Sequence, residues 1–261
     1  GARAARILSR QLPGALRKQM HNGNMPHVPT AGRASAAFEE ASSAAFAEVD
    51  TGILERSSME GWDDGSTALV ACVDAAAAAL LQVGDGGACV WYPGRRGAPN
   101  PNPNPDLGGG GGAPPLSAHL CTRHRPTEPS ETARLSVCGV EPSATGRVSG
   151  LAVSRAFGDL SIKQQPHGAY LTVEPEVRPL DEHEHLCDGA VLVLACDGVW
   201  DYLSIDEAAD VLCRAHDAQS SVCAAEVALR DAAAALADAA LESGSSDNVS
   251  VLLVQLPDWK G

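Results

Sequence analysis

Three aspartates stand where carboxylates can do chemistry. Asp197 and Asp247 lie fifty residues apart, each against an apolar run and each beside a residue that tolerates unusual backbone angles, Gly198 and Asn248. An Asp at the rim of a buried sheet is partly desolvated, which costs free energy unless a cation or hydrogen bonds compensate it. Hard divalent ions prefer such oxygen donors, so two sheet rims can share one metal centre. The same pattern suits two ordinary turn aspartates that cap backbone amides after strands, and spacing alone does not choose between them. Asp85, between Gly84 and Gly86, is a third strand-end carboxylate in a sequence that is also common turn chemistry.

The elements that must position these residues are legible as patterns. Ala190 to Cys196 is apolar and rich in Val and Leu, a buried strand that stops at Asp197-Gly198. Val249 to Leu256 suits a strand just after Asp247-Asn248. Between them, Ser204-Ile205-Asp206-Glu207 is a capping box opening a helix to about His216, and Val222 to Leu241 reads as a longer helix ending near Gly244. Earlier, Ala5, Leu8, Leu12 and Leu16 recur at helical spacing among Arg and Lys despite Pro13. A second helical stretch after Pro29 carries Ala37, Phe38, Phe46 and Val49, with Glu39 and Glu40 on its wet side. Ala68 to Val73 is a short apolar strand. Ala75 to Leu81 is read as strand because it runs into Val83-Gly84-Asp85, although alanine favours helix. Residues 133–140, 146–157 and 171–177 predict further strands and turns. Several strands in two groups with helices outside predict a mixed α/β sandwich.

Composition narrows the function classes. The chain has 261 residues, 44% hydrophobic and 20% charged, a globular composition expected to form a single domain over 1–261. A low-complexity insertion at 93–115, with Asn-Pro repeats and five consecutive glycines, cannot assemble a packed core. The formal net charge of −14 repels phosphate backbones and anionic lipid faces, so neither nucleic acid nor membrane is an expected partner. No stretch reaches the roughly 18 apolar residues of a membrane span, and no charged-then-apolar leader opens the sequence. Eight cysteines without a C-x-x-C pair, several inside apolar runs, suit buried thiols in a reducing intracellular compartment, cytoplasmic or nuclear. The chain opens at Gly1, so signals upstream of it are outside the sequence.

Six segments in order identify a family resemblance: Gly65-Ser66-Thr67-Ala68, Val83-Gly84-Asp85, Gly146 to Asp159 (GRVSGLAVSRAFGD), Glu174-Pro175-Glu176-Val177, Ala195 to Asp201 (ACDGVWD), and Gly244 to Val251 (GSSDNVSV). Together they resemble the type 2C metal-dependent Ser/Thr protein phosphatases, the PPM family. The resemblance implies an αββα sandwich of two antiparallel sheets flanked by helix pairs. It implies two Mg²⁺ or Mn²⁺ ions, which activate a water for attack at phosphorus without a phosphoenzyme, and phosphoprotein substrates. By the family's motifs, Asp197 and Asp247 are metal ligands and Asp85 matches a weaker third site. Gly198 shapes the ligand turn, and Asn248 adds support by hydrogen bonding. A monomer is expected.

Departures from the pattern carry expectations of their own. The family's Asp-Gly-His-Gly-Gly motif is absent, and Gly1-Ala2-Arg3-Ala4-Ala5 resembles the family's residues immediately C-terminal to it. An N-terminally truncated domain with an incomplete centre, nearly inactive by itself, is the expectation, with a catalytically impaired scaffold that binds protein partners as the alternative. Gly86-Gly87 replaces a usual Ser-Arg, and Arg123-His124-Arg125 stands where Asp-His is usual. Arg155 and Asp159 suit either charge pairs that anchor a flap or substrate contact. Trp200 suits a core anchor. His183, Glu184, His185 and Cys187 form a soft-metal pattern that the family places in an acidic loop. A Ser hydrolase is disfavoured because there is no G-x-S-x-G elbow.

Overall fold

The computed structural model describes residues 2–22, 28, 36–74, 77–93, 116–117, 119–180, 189–219 and 225–257. In chain order the elements are α1 (Ala2–Asn22), α2 (Ala36–Glu60), β1 (Gly65–Ser66), β2 (Ala68–Val73), β3 (Ala78–Val83), β4 (Gly87–Trp91) and α3 (Pro129–Val137). They continue with β5 (Phe157–Gly158), α4 (Leu160–Lys163), β6 (Glu176–Leu180), β7 (Val191–Ala195), α5 (Asp197–Trp200), α6 (Ile205–Gln219), α7 (Ala225–Glu242) and β8 (Val251–Gln255). They fall into two compact units, Gly1–Gly86 with Cys121–Pro179, and Gly87–Leu120 with Leu180–Gly261.

The first unit packs a helix pair on a sheet. Leu8, Leu12 and Leu16 of α1 are buried as their spacing requires, with Ala4 rather than Ala5 completing the stripe. Pro13 lies on the exposed side of α1, where its missing amide costs the helix a hydrogen bond but no core contact. From α2, Phe38, Phe46, Val49 and Ile53 enter the same core, while Ala37, Glu39 and Glu40 are exposed. Both helices cover the face of β3 that carries Ala79, Leu81 and Val83. Phe46 meets Phe157 at a centroid distance of 5.3 Å; truncating either ring to Ala costs about 3–5 kcal/mol. The sheet runs β2-β3-β6, with β2 and β3 antiparallel from Ala68↔Val83 to Val73↔Ala78. Pairing with β2 thus decides the stretch from Ala78 onward in favour of strand, and Ala75 and Ala76 lie outside the described residues. A two-stranded antiparallel ribbon joins β1 to β5.

The second unit repeats that arrangement with other residues. Its sheet runs β4-β7-β8, antiparallel throughout. Val191, Val193 and Ala195 of β7 pack with Cys89 and Trp91 of β4 against Ala208 and Leu212 of α6 and Ala232, Leu236 and Ala240 of α7. The alanines at four-residue spacing give α7 a narrow buried stripe. The capping box forms: the Ser204 amide donates to Glu207 Oε2 (2.9 Å) and the Glu207 amide donates to Ser204 Oγ (3.3 Å). Helix pairs on antiparallel sheets thus make a mixed α/β fold, as the sequence predicts.

One expectation needs correction. Residues 133–140 fall largely in α3, not a strand; Pro129 supplies a preset first-turn φ, and Gly139 (φ 71°) lies just past the last turn. Residues 146–157 form turns with the isolated bridges Val148↔Leu151 and Arg155↔Thr172. Positive φ at Gly146, Ser149 and Gly150 interrupts any extended run there. Most of the 93–115 insertion, and the His183, Glu184, His185 and Cys187 group, lie outside the described residues.

Candidate functional site

Two of the three aspartates arrive at one end of one sheet. The register of β7 with β8 ends at Ala195↔Val251, and beyond it the Cys196 amide donates to the Ser250 carbonyl (3.2 Å). Asp197 therefore leaves the sheet where the Asp247 loop enters it. The two backbones meet closely: a Cβ built on Gly198 would lie 2.4 Å from the Asn248 carbonyl oxygen, so this contact admits only glycine. Cys196 closes the same junction, with Sγ donating to Asn248 O (3.1 Å) and accepting from the Ser250 amide (3.2 Å).

Each carboxylate is steadied by the amide of the next residue. Asp197 Oδ1 accepts from Gly198 N at 2.9 Å, and Asp247 Oδ1 accepts from Asn248 N at 2.7 Å. Asp197 is half-buried and Asp247 exposed. Beneath them Trp200 is a core anchor, as its sequence context predicts. It is buried, its Nε1 donates to the carbonyls of Gly87 and Ala195 (3.1 Å each), and His119 meets its ring edge-on at 4.8 Å.

Asp85 is built differently, in the other unit. Gly84 holds φ 105°, and a Cβ there would lie 2.1 Å from Thr67 Cγ2, so the turn after β3 requires glycine. Asp85 is 4% exposed. Arg125 Nε and Nη2 both donate to its Oδ2 at 3.3 Å, and Arg123 Nε donates to its carbonyl at 2.8 Å. Between these arginines the buried His124 accepts from the Gly84 amide on Nδ1 (3.2 Å), which leaves Nε2 to donate to Glu176 Oε2 (3.2 Å). Burial pushes the Glu176 carboxyl up, but the hydrogen bonds from His124 and the Thr122 amide outweigh it and the net direction is down.

The 146–159 segment is anchored by an ion pair through Arg155. Glu131 of α3, 1% exposed, accepts from Arg155 Nη2 on Oε1 (2.6 Å), and from Arg134 Nη2 (2.7 Å) and Ser154 Oγ (2.5 Å) on Oε2. Burial alone raises this carboxyl; the hydrogen bonds from Arg155, Arg134 and Ser154 bring it to about 2. Asp159 holds φ 52° at the start of α4, and burial together with the nearby charge of Asp63 raises its carboxyl above the ordinary range. Sequence reasoning named Arg155 but missed Glu131 as its partner. Arg123-His124-Arg125 was visible only as a departure without a role. Among the described residues no group of three or more His, Cys, Asp or Glu is placed to hold a metal ion, and no helix is long and apolar enough to cross a membrane.

Comparison with known proteins fits this frame. The family model described as protein phosphatase 2C matches residues 1–249. Probable protein phosphatase 2C 8 of Oryza sativa subsp. japonica is 32% identical over 232 residues, covering 85% of this chain and 50% of that protein. Protein phosphatase 1A of Homo sapiens is 34% identical over 143 residues, covering 52% and 34%. The chain thus spans about half the length, or less, of these curated relatives. Among solved structures, a serine-threonine phosphatase 2C from Toxoplasma gondii shares the fold at TM-score 0.65 and 18% identity, with 97% of this chain and 79% of that one covered. A C. elegans sex determining protein does so at TM-score 0.65 and 22% identity, with 94% and 52% covered. With its helix-backed antiparallel sheets and its paired aspartates at one sheet end, the chain belongs to the protein phosphatase 2C family.

Proposed function

We propose that this chain carries a metal-dependent protein Ser/Thr phosphatase domain, with Asp197 and Asp247 as its metal ligands. The observation that carries the reading is the Gly198–Asn248 backbone contact, which brings the two acidic loops to one sheet end. Two hard carboxylates on a wet rim, each oriented by one amide, are a donor set suited to Mg²⁺ or Mn²⁺. When bound, divalent ions supply acidity to a water and charge neutralisation to phosphoryl oxygens. In this proposal Gly198 sets the spacing of the ligands, and the Asn248 amide keeps Asp247 aimed. Asp85 serves a weaker third ion, after release from Arg125. The substrates are phosphoproteins, handled by a monomer in an intracellular compartment, cytoplasmic or nuclear.

Two carboxylates bind Mg²⁺ weakly, because the ion keeps most of its waters. The sequence lacks the Asp-Gly-His-Gly-Gly segment, so we assign the 261 residues by themselves slow turnover. The test is Mn²⁺-dependent phosphate release from a phosphothreonine peptide, measured for these 261 residues and for a longer protein that carries the motif. The expected result is robust turnover by the longer protein, lost with Asp197→Ala. Turnover that survives Asp197→Ala sinks the ligand assignment. The second reading, an impaired scaffold that binds protein partners, is favoured by the Arg125–Asp85 ion pair, which occupies a carboxylate that a third ion would need. It prevails if the motif-bearing protein also fails to turn over while it stays folded.

A further inference from the structure

The helix pair of the first unit builds a second polar feature, remote in sequence from Asp197 and Asp247. Arg3, Arg6 and Arg10 recur at three- and four-residue spacing and so share one face of α1. With Arg56 and Glu60 of α2, and with Trp62, they line a cavity of about 380 Å³. Helix α1 also carries Arg17 and Lys18 and contains no acidic residue, in a chain whose formal net charge is −14. Four guanidinium groups around one hollow repel each other, and proteins ordinarily offset this with carboxylates. Here, among the described residues, the Arg6, Arg10 and Arg56 side chains take part in no ion pair. Glu60 instead accepts from Trp62 Nε1 at 2.9 Å. The Arg3 guanidinium lies 5.9 Å from the centre of the Trp62 ring, and its backbone amide donates to Asp64 Oδ2 (2.9 Å). One wall is therefore fixed: Trp62 is 7% exposed and held on both sides.

Planar guanidinium groups match phosphoryl oxygens bidentately, better than they match a monovalent halide. The volume is within the range of small-molecule sites, roughly 300–1,000 Å³. We propose that this cavity binds a phosphoryl anion of diphosphate or phosphate-ester size, independently of any metal at Asp197 and Asp247. A lipid surface fits less well. The apolar side of α1, Leu8, Leu12 and Leu16, is already buried in its own core, whereas a membrane-surface helix offers that side to lipid.

The test is titration of the 261-residue chain with pyrophosphate in EDTA, monitored by calorimetry and by the indole N–H signal of Trp62. The expected result is saturable one-to-one binding, weakened at least about tenfold by Arg6→Ala/Arg10→Ala. Arg17→Ala/Lys18→Ala removes the same charge from the same helix outside the cavity and should leave affinity near the parent value. Among the described residues Lys18 is the one of these four that forms an ion pair, an exposed one with Glu48, and unchanged thermal midpoints verify folding. A phosphothreonine peptide that displaces pyrophosphate, where its unphosphorylated form does not, identifies a protein-borne phosphoryl group; failure of that peptide with pyrophosphate still bound identifies a small-molecule source. The proposal is overturned by an absence of saturable binding, by equal losses in the two double variants, or by binding to phosphatidylserine vesicles without binding to pyrophosphate.

Discussion

Asp85 and Asp197 both come after a fully buried strand and both touch a glycine, yet the two units treat them oppositely. Asp85 is enclosed, its carboxylate held by Arg125 and its carbonyl by Arg123. Asp197 is left on a half-exposed rim, one oxygen turned to the amide of Gly198, with a second acidic loop beside it. The fate of a strand-end carboxylate is thus decided by what the chain brings to it from elsewhere, about as far away as the forty residues between Asp85 and Arg125. A guanidinium brought there makes a structural ion pair. Another aspartate brought there makes a rim that a cation can neutralise.

The sharpest way to break this contrast is to remove the rim carboxylates. In a motif-bearing protein, Asp197→Ala or Asp247→Ala should lower Mn²⁺-dependent turnover by at least about 100-fold, more than loss of a supporting partner of a metal ligand costs. The thermal midpoint should barely move. Large destabilisation without a selective loss of turnover would put both residues in the structural class with Asp85.

The next effect concerns the enclosed charges of the first unit. Glu131→Ala leaves Arg155 and Arg134 without their shared carboxylate and should cost about 3–5 kcal/mol in urea unfolding. The Glu131 carboxyl is depressed to about 2, so its contribution is fully present above its unfolded value near 4.5. It is lost as the pH falls from there toward 2. Glu131→Gln should therefore flatten stability over that window, and a parent-like acid limb would contradict the anchoring role.

Arg125→Ala should cost less, about 1–3 kcal/mol, by leaving Asp85 buried with one donor group fewer. If Asp85 can serve a cation once released, Mg²⁺ should recover part of that loss in the variant and none in the parent; an identical Mg²⁺ response in both removes the third-site proposal. The smallest effect is a lack of reaction. Burial raises the Cys89 thiol to about 12 and Cys72 to about 11, so neither should be alkylated by iodoacetamide at pH 8 in the folded chain. Rapid labelling of Cys89, read by peptide mass, would mean the second unit opens readily.

The legible parts of the fold are those whose information is local. The run Val191 to Ala195 is buried on both faces and so reads as strand without help, and Asp197-Gly198 marks its end. The capping box at Ser204 is complete within four residues. Helix α3 is harder to read, because only Leu135 and Glu131 of its residues are buried and its apolar signal is too thin for a period. Its markers are Pro129 and Gly139, one ahead of the apolar segment and one near its end. The guanidinium on Asp85 and the Arg155–Glu131 pair depend on side chains that meet only after the chain has folded, 40 and 24 residues apart. No motif spacing announces them.

The close approach of residue 198 to the carbonyl of residue 248 means that one hydrogen atom acts as a spacer between the two acidic loops. A single added methyl, Gly198→Ala, keeps every carboxylate in place chemically while prising the loops apart. On the metal-centre reading proposed above, ion affinity would thereby be open to tuning by bulk at position 198, a lever distinct from charge.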